Sequence, residues 1–207
     1  MTGHKQTTGG NDYTTSYTYN LAGQLLTETY PSGRMVENTF LESGNLSRVR
    51  TKPSGGSYSY RAKNFVYNPA GAVESMQLGN LSRYETTEFN SRLQPTQIGL
   101  GTSTTDTSLL KLEYEYGATA SVNNGNLTKQ TITVPGMTYS LVQNYTYDEL
   151  NRLASATETS NLTQTWTQVF GYDRYGNRNI TSGTGQTSST FGSTNNRITT
   201  TGYSYDS

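Results

Sequence analysis

Nucleophilic catalysis needs an activated oxygen, sulfur or nitrogen with a base in reach, and this sequence supplies little of either. It has no Cys and a single His. His4 lies in the Gly/Thr-rich stretch Met1-Thr-Gly-His-Lys-Gln-Thr-Thr-Gly-Gly10, so residues 1–12 read as a flexible tail. Carboxylates can do acid–base work, and Asp148 and Asp173 are the best-placed candidates. Both open a turn-forming block, Asp148-Glu-Leu-Asn151 and Asp173-Arg-Tyr-Gly176, where an Asp side chain caps main-chain N–H groups. The turn-cap reading is preferred, and no catalytic residue is assigned.

Other chemistries fare no better. Calcium-binding β-rolls repeat Gly-Gly-x-Gly-x-Asp and EF-hand loops space several acidic positions; the sequence has neither. Gly99-Leu-Gly101 and Gly183-Thr-Gly185 are not followed by a helical pattern, so they do not read as phosphate cradles. No metal and no cofactor is expected. Tyr side chains and Trp166 on an exposed face could stack on sugars, but ring packing between strands is the simpler use. Asn-x-Ser/Thr triplets occur at Asn45, Asn80, Asn126, Asn144, Asn161 and Asn179. So much Asn, Ser and Thr produces about that number by chance, and they do not indicate glycosylation.

The elements that must position these residues are legible in composition and repetition. Hydrophobic residues make up 31% of the 207 and the mean hydropathy is −0.72. Disordered chains share that low value, but with high net charge and few aromatics; here the net charge is +0 and there are 17 Tyr. Thr and Tyr suit a half-buried pleated surface, and Asn, Gly and Ser supply turns. The balanced charge offers no basic stripe for a nucleic acid. No amphipathic cationic segment or long apolar run is present for membrane insertion.

An aromatic-x-aromatic unit recurs at Tyr17/Tyr19, Tyr58/Tyr60, Phe65/Tyr67, Tyr114/Tyr116, Tyr145/Tyr147, Phe170/Tyr172 and Tyr203/Tyr205. Residues at i and i+2 of a strand face the same way, so each unit sets two rings on one face for cross-strand stacking. Four units run into an Asx-started turn: Asn20-Leu-Ala-Gly23, Asn68-Pro-Ala-Gly71, Asp148-Glu-Leu-Asn151 and Asp173-Arg-Tyr-Gly176. The closing Gly or Asn accepts positive φ. An apolar residue follows two places on at Leu25, Val73 and Leu153, but Arg178 stands there in the last unit, whose return strand is expected to be exposed. The unit is a β-hairpin. A second kind of turn is expected at Pro31-Ser-Gly-Arg34, Ser43-Gly-Asn-Leu46, Gly79-Asn-Leu81 and Asn123-Asn-Gly-Asn-Leu127. Phe89 to Asp106 reads as a strand and a long loop, not another copy. No sustained 3.6-residue apolar period exists, so helix should be nearly absent.

The words Tyr145-Thr-Tyr-Asp-Glu-Leu-Asn-Arg152-Leu153 and Tyr172-Asp-Arg-Tyr-Gly-Asn177-Arg178 resemble the YD repeat of RHS proteins, teneurins and the shell components of insecticidal toxin complexes. The blocks Tyr19-Asn20-Leu-Ala-Gly23 and Tyr67-Asn68-Pro-Ala-Gly71 fit the same pattern with Asn for Asp. The resemblance takes in nearly all of the chain after about residue 13. It makes Tyr17, Tyr19, Asn20, Gly23, Tyr67, Asn68, Gly71, Tyr145, Tyr147, Asp148, Asn151, Arg152, Tyr172, Asp173, Gly176, Asn177, Tyr203 and Tyr205 structural motif positions.

What the resemblance implies is an all-β protein of antiparallel hairpin repeats forming a curved, spiralling sheet or open shell segment, with one array over residues 13–207. In toxin-bearing relatives such a shell encloses an effector; in teneurins it is an adhesion scaffold. Aspartyl self-cleavage in the family uses Asp-Pro words, and none of Asp12, Asp106, Asp148, Asp173 or Asp206 precedes Pro. The chain ends at Tyr203-Ser-Tyr-Asp-Ser207, inside what reads as the next turn, so a piece of a longer protein is expected. The expected role is structural and non-enzymatic, outside the cell or on its surface. Partners would be the rest of a parent chain, further copies, an enclosed effector or a surface glycan. A self-assembling filament and a carbohydrate-binding or adhesion module are the alternatives.

Overall fold

The computed structural model describes residues 2–117, 119, 121–184 and 189–206. Short runs of Thr, Tyr and aliphatic residues, punctuated by Asx and Gly, fold into strands joined by tight reversals, in two compact units. The first, Met1–Leu110, holds β1 (Gly3–Thr8), β2 (Asn11–Tyr19), β3 (Leu25–Thr29), β4 (Met35–Phe40) and β5 (Leu46–Lys52). It continues with β6 (Ser59–Tyr67), β7 (Val73–Leu78), β8 (Tyr84–Phe89) and β9 (Pro95–Gly101). The second, Lys111–Ser207, holds β10 (Leu110–Glu115), β11 (Lys129–Thr133), β12 (Leu141–Tyr147), β13 (Leu153–Ser160), β14 (Thr163–Tyr172) and β15 (Arg178–Gly183). Within each unit every strand pairs antiparallel with its sequence neighbour. No helix occurs among the described residues.

Alternation is clearest in β12, where Tyr145 and Tyr147 are half-buried while Asn144 and Thr146 are exposed. A sheet with one face drawn from water gives this period of two. The core is sparse. Among the described residues Ala156, at 3% exposure, is the one buried hydrophobic residue, and Thr51, Ser75 and Gln77 are buried polar ones. Cohesion therefore comes from the main-chain ladder and from rings and side-chain stems laid on neighbouring strands.

Three expectations are corrected. The N-terminal stretch is not a tail: Gly3–Thr8 pairs in register with Asn11–Ser16. Gly9 and Gly10, at φ 60° and 80°, make the two-residue reversal that glycine permits. Residues 89–106 are not one strand and a long loop; they hold another hairpin turn, at Asn90, followed by β9. A shorter loop starts only at Thr102. There Asp106 accepts bonds from the Thr102 main chain (2.7 Å) and hydroxyl (2.8 Å) and from the Ser108 main chain (2.9 Å) and hydroxyl (3.1 Å). These donors, the Thr102 N–H foremost, hold its carboxyl far below the usual range. Finally, Tyr203 and Tyr205 lie outside any strand. The Tyr205 hydroxyl instead accepts from the Ile198 N–H at 2.7 Å, with Arg197 over its ring at 5.0 Å.

Candidate functional site

The recurring site is a turn. In the hairpin between β2 and β3, the Gly23 N–H donates to the Asn20 carbonyl (3.0 Å) and the Asn20 N–H to the Gln24 carbonyl (3.0 Å). Gly23 sits at φ 78°. The same pair of main-chain bonds closes six further reversals, begun by Tyr30, Leu41, Asn68, Asn90, Asp148 and Asp173. Two turns expected to be of another kind, at Pro31 and Ser43, thus share this geometry; those at Gly79 and at Asn123 do not. The fourth turn residue has positive φ each time: Gly33, Gly44, Gly71, Leu93, Asn151 and Gly176. A residue in this conformation at a three-residue hairpin loop forces a bulge. Register shifts accordingly fall beside the turns at Thr18/Tyr19, Thr39/Phe40, Glu88/Phe89 and Thr146/Tyr147.

Where the turn starts with Asx, the side chain completes it. Asn20 Oδ1 accepts from Ala22 N–H (3.0 Å) and Gln24 N–H (2.9 Å), and Asn68 Oδ1 from Ala70 (3.0 Å) and Ala72 (2.9 Å). Asp148 Oδ1 takes Leu150 and Arg152, both at 2.9 Å. Asp173 Oδ1 takes Tyr175 (2.8 Å) and Asn177 (3.0 Å). The fifth residue then matches the first. The Asn20 and Asn90 amides each donate to a Gln, Gln24 and Gln94, at 2.8 Å. Asp148 Oδ2 instead meets the Arg152 guanidinium at 2.7 Å, and Asp173 Oδ2 the Asn177 amide at 2.8 Å. The Arg152 N–H holds the Asp148 carboxyl below the usual range, and the Asn177 amide does the same for Asp173. Carboxylates whose lone pairs are taken up this way are turn caps, not general bases.

The tyrosine before the Asx makes a second contact. Tyr67, Tyr147 and Tyr172 donate their hydroxyls to the main-chain carbonyls of Leu46 (2.7 Å), Leu127 (2.8 Å) and Leu153 (2.8 Å). Each of these leucines directly follows the last reversal but one, the previous turn on the same side of the sheet, so the tyrosine ties one hairpin to the next. Tyr19, preceded only by the β1–β2 hairpin, is 42% exposed. Burial pushes the hydroxyls of Tyr67, Tyr145 and Tyr147 up; Tyr145 also donates to Gln143 at 2.6 Å.

Rings do not stack on rings across strands as the sequence suggests. The ring contact among the described residues is within β6, Phe65 with Tyr67 at 6.2 Å. The rings instead meet cations from neighbouring strands and turns: Arg50 over Tyr58 at 4.0 Å, Arg152 over Tyr172 at 4.2 Å and Arg178 over Phe170 at 4.9 Å. Arg178, the departure from the apolar return position, covers a ring there.

Nothing else converges. His4 lies exposed on β1 opposite Thr15, and no cluster of His, Asp and Glu among the described residues could hold a metal ion. An open groove of about 760 Å³ runs beside Asn20, Gln24, Asn38 and Phe40. Two of its amides are committed, Gln24 Nε2 to the Gly44 carbonyl (2.7 Å) and Asn38 Nδ2 to that of Leu25 (3.0 Å). The sequence reading missed Gln24, Asn90, Gln94 and the leucine carbonyls. The Gln at the fifth turn position, four residues after Asn20, was a usable sign for the Asn90 turn.

No protein-family model and no curated protein sequence matches the chain. Solved structures of toxin complexes do. The crystal structure of TcdB2-TccC3-Cdc42 matches 91% of this chain with a TM-score of 0.72 at 21% identity. That of TcdB2-TccC3 without hypervariable C-terminal region matches 91% with 0.70 at 21%. The Photorhabdus luminescens Tc holotoxin pore matches 81% with 0.67 at 24%. This chain has the RHS/YD-repeat fold. It spans 10%, 10% and 9% of the length of those three chains, respectively. The Asx turns and tyrosine ties described above are how this sequence builds the RHS/YD unit.

Proposed function

We propose that the chain is a structural wall segment of an RHS-type β-shell, non-enzymatic itself and continuous with a longer exported chain whose shell encloses an effector or presents a surface. The match to toxin-complex chains over 91% of the residues carries this reading. The site chemistry supports it: the Asx carboxylates and tyrosine hydroxyls are turned to holding hairpins together. A wall needs that cohesion and needs no reactive group.

A filament is the second reading, favoured by the outer edge of β1, a strand exposed along its whole length; unpaired edges recruit further strands. Electron microscopy and sedimentation of the purified chain separate the two. The wall reading expects discrete particles of one size, and regular fibres that lengthen with concentration would replace it. Export is tested by protease treatment of intact source cells: loss of the protein is expected, and full protection overturns an outside location.

A further inference from the structure

Charge is balanced along the chain but not across its strands. In β5 the alternation Arg48-Val-Arg50-Thr-Lys52 puts three cations on one face. Register adds their neighbours: Lys63 of β6 stands opposite Arg48, and Glu37 and Met35 of β4 stand opposite Arg50 and Lys52. One of the four cations is neutralised, Arg50 Nε lying 2.7 Å from Glu37 Oε1. Arg48 Nε donates to the neutral Thr39 hydroxyl at 2.9 Å. The ammonium groups of Lys52 and Lys63 sit over the rings of Tyr58 (5.0 Å) and Tyr60 (4.8 Å). Among the described residues, ion pairs form at Lys5, Arg50, Lys111, Lys129 and Arg152, and none at Arg48, Lys52 or Lys63.

Like charges directly opposite each other on a sheet are destabilising, and the Arg48–Lys63 pair is of that kind. A local rule broken where four cations share one carboxylate, Glu37, marks a surface that meets something else. We propose that this strip binds an acidic polypeptide segment in extended conformation. Cations at every second residue of β5 recur about 6.6 Å apart, the interval at which an extended peptide presents alternate side chains. Guanidinium groups suit carboxylates, and the excess of four cations over one carboxylate supplies the attraction. Single-stranded nucleic acid is disfavoured because it needs free ring faces to stack bases on. The rings of Tyr58 and Tyr60 are already occupied by Arg50, Lys52 and Lys63.

The site needs only this part of the chain, whatever the wall does. A labelled oligo-glutamate peptide, titrated into the purified protein at low salt, should bind saturably and be released by added salt. The double variant Arg48→Gln/Lys63→Gln should weaken binding about tenfold or more. Because Lys63→Gln removes a like-charge contact, its melting temperature should stay level or rise, which separates a lost site from a lost fold. Lys129→Gln, whose cation is paired with Glu115 at 2.8 Å, should bind as the parent does. Absence of saturable binding, equal weakening by Lys129→Gln, or preference for an oligo-thymidylate of matched charge would overturn the proposal.

Discussion

The Tyr172 hydroxyl donates to the Leu153 main-chain carbonyl at 2.8 Å, reaching back from the start of one turn to the residue just after the previous turn on the same side of the sheet. Tyr67 and Tyr147 repeat the relationship with Leu46 and Leu127. With one buried apolar side chain among the described residues, these bonds reinforce the main-chain ladders that join one hairpin to the next.

Removing one hydroxyl should therefore be felt. Tyr172→Phe keeps the ring and its contact with Arg152 but leaves the carbonyl of Leu153 without that donor. A net loss of about 0.5–1.5 kcal/mol is expected, a fall in melting temperature of about 2–4 °C per kcal/mol for a chain of this size. Circular dichroism melting measures it. Tyr175→Phe is the control, since Tyr175 is 54% exposed and precedes no Asx. Equal shifts for the two variants would remove the tyrosine tie from the account.

Leu93 carries a strain its counterparts avoid. It stands at φ 60° where the six other turns of this geometry have Gly or Asn, and a left-handed conformation costs a non-glycine residue about 1–2 kcal/mol. At 50% exposure it recovers little by burial. Leu93→Gly should raise the denaturation midpoint by about 1 kcal/mol of stability after glycine's extra unfolded-state entropy is counted. A drop in the midpoint would mean that Leu93 makes an apolar contact that outweighs its backbone strain.

Acid should weaken the turns in a defined window. The Asp106, Asp148 and Asp173 carboxyls are held below their ordinary values by the hydrogen bonds they accept, led by Thr102 N–H, Arg152 N–H and the Asn177 amide respectively. A depressed folded value means that the contribution is complete above the unfolded value of about 3.9 and is lost as pH falls through the folded ones. Melting temperature should be level from neutrality to about pH 5 and fall below it. The variant Asp148→Asn/Asp173→Asn, which keeps an acceptor oxygen at each turn, should fall less steeply. Parallel curves would assign the acid sensitivity elsewhere.

How much of this was legible depended on whether side chains advertised it. The turns at Asn20, Asn68, Asp148 and Asp173 could be read because an Asx acceptor and a closing Gly or Asn stood at the right interval. The Asn90 turn has the acceptor, but Leu93 occupies the closing position and hid the copy. β1 was unreadable by alternation, since all six of its residues are exposed and main-chain pairing alone defines it; the Gly9-Gly10 pair was its one sign. The meeting of Arg48 with Lys63 depends on the register of β5 against β6, which shifts at Val49/Arg50, and no linear reading supplies that. The tyrosine ties were hidden for a related reason: their acceptors are main-chain carbonyls, which every sequence has.

The near-absence of a core has a consequence for how the molecule fails and how it changes. A protein organised around an interior loses everything when the interior is breached, and its parts must be refitted together. Here each hairpin leans on the two beside it, so damage stays a local tear and the neighbours keep their own ladders, turns and ties. With the same turn geometry in seven places, length is a free variable. Whole hairpins can be spliced in or out with every remaining side chain still on its proper face.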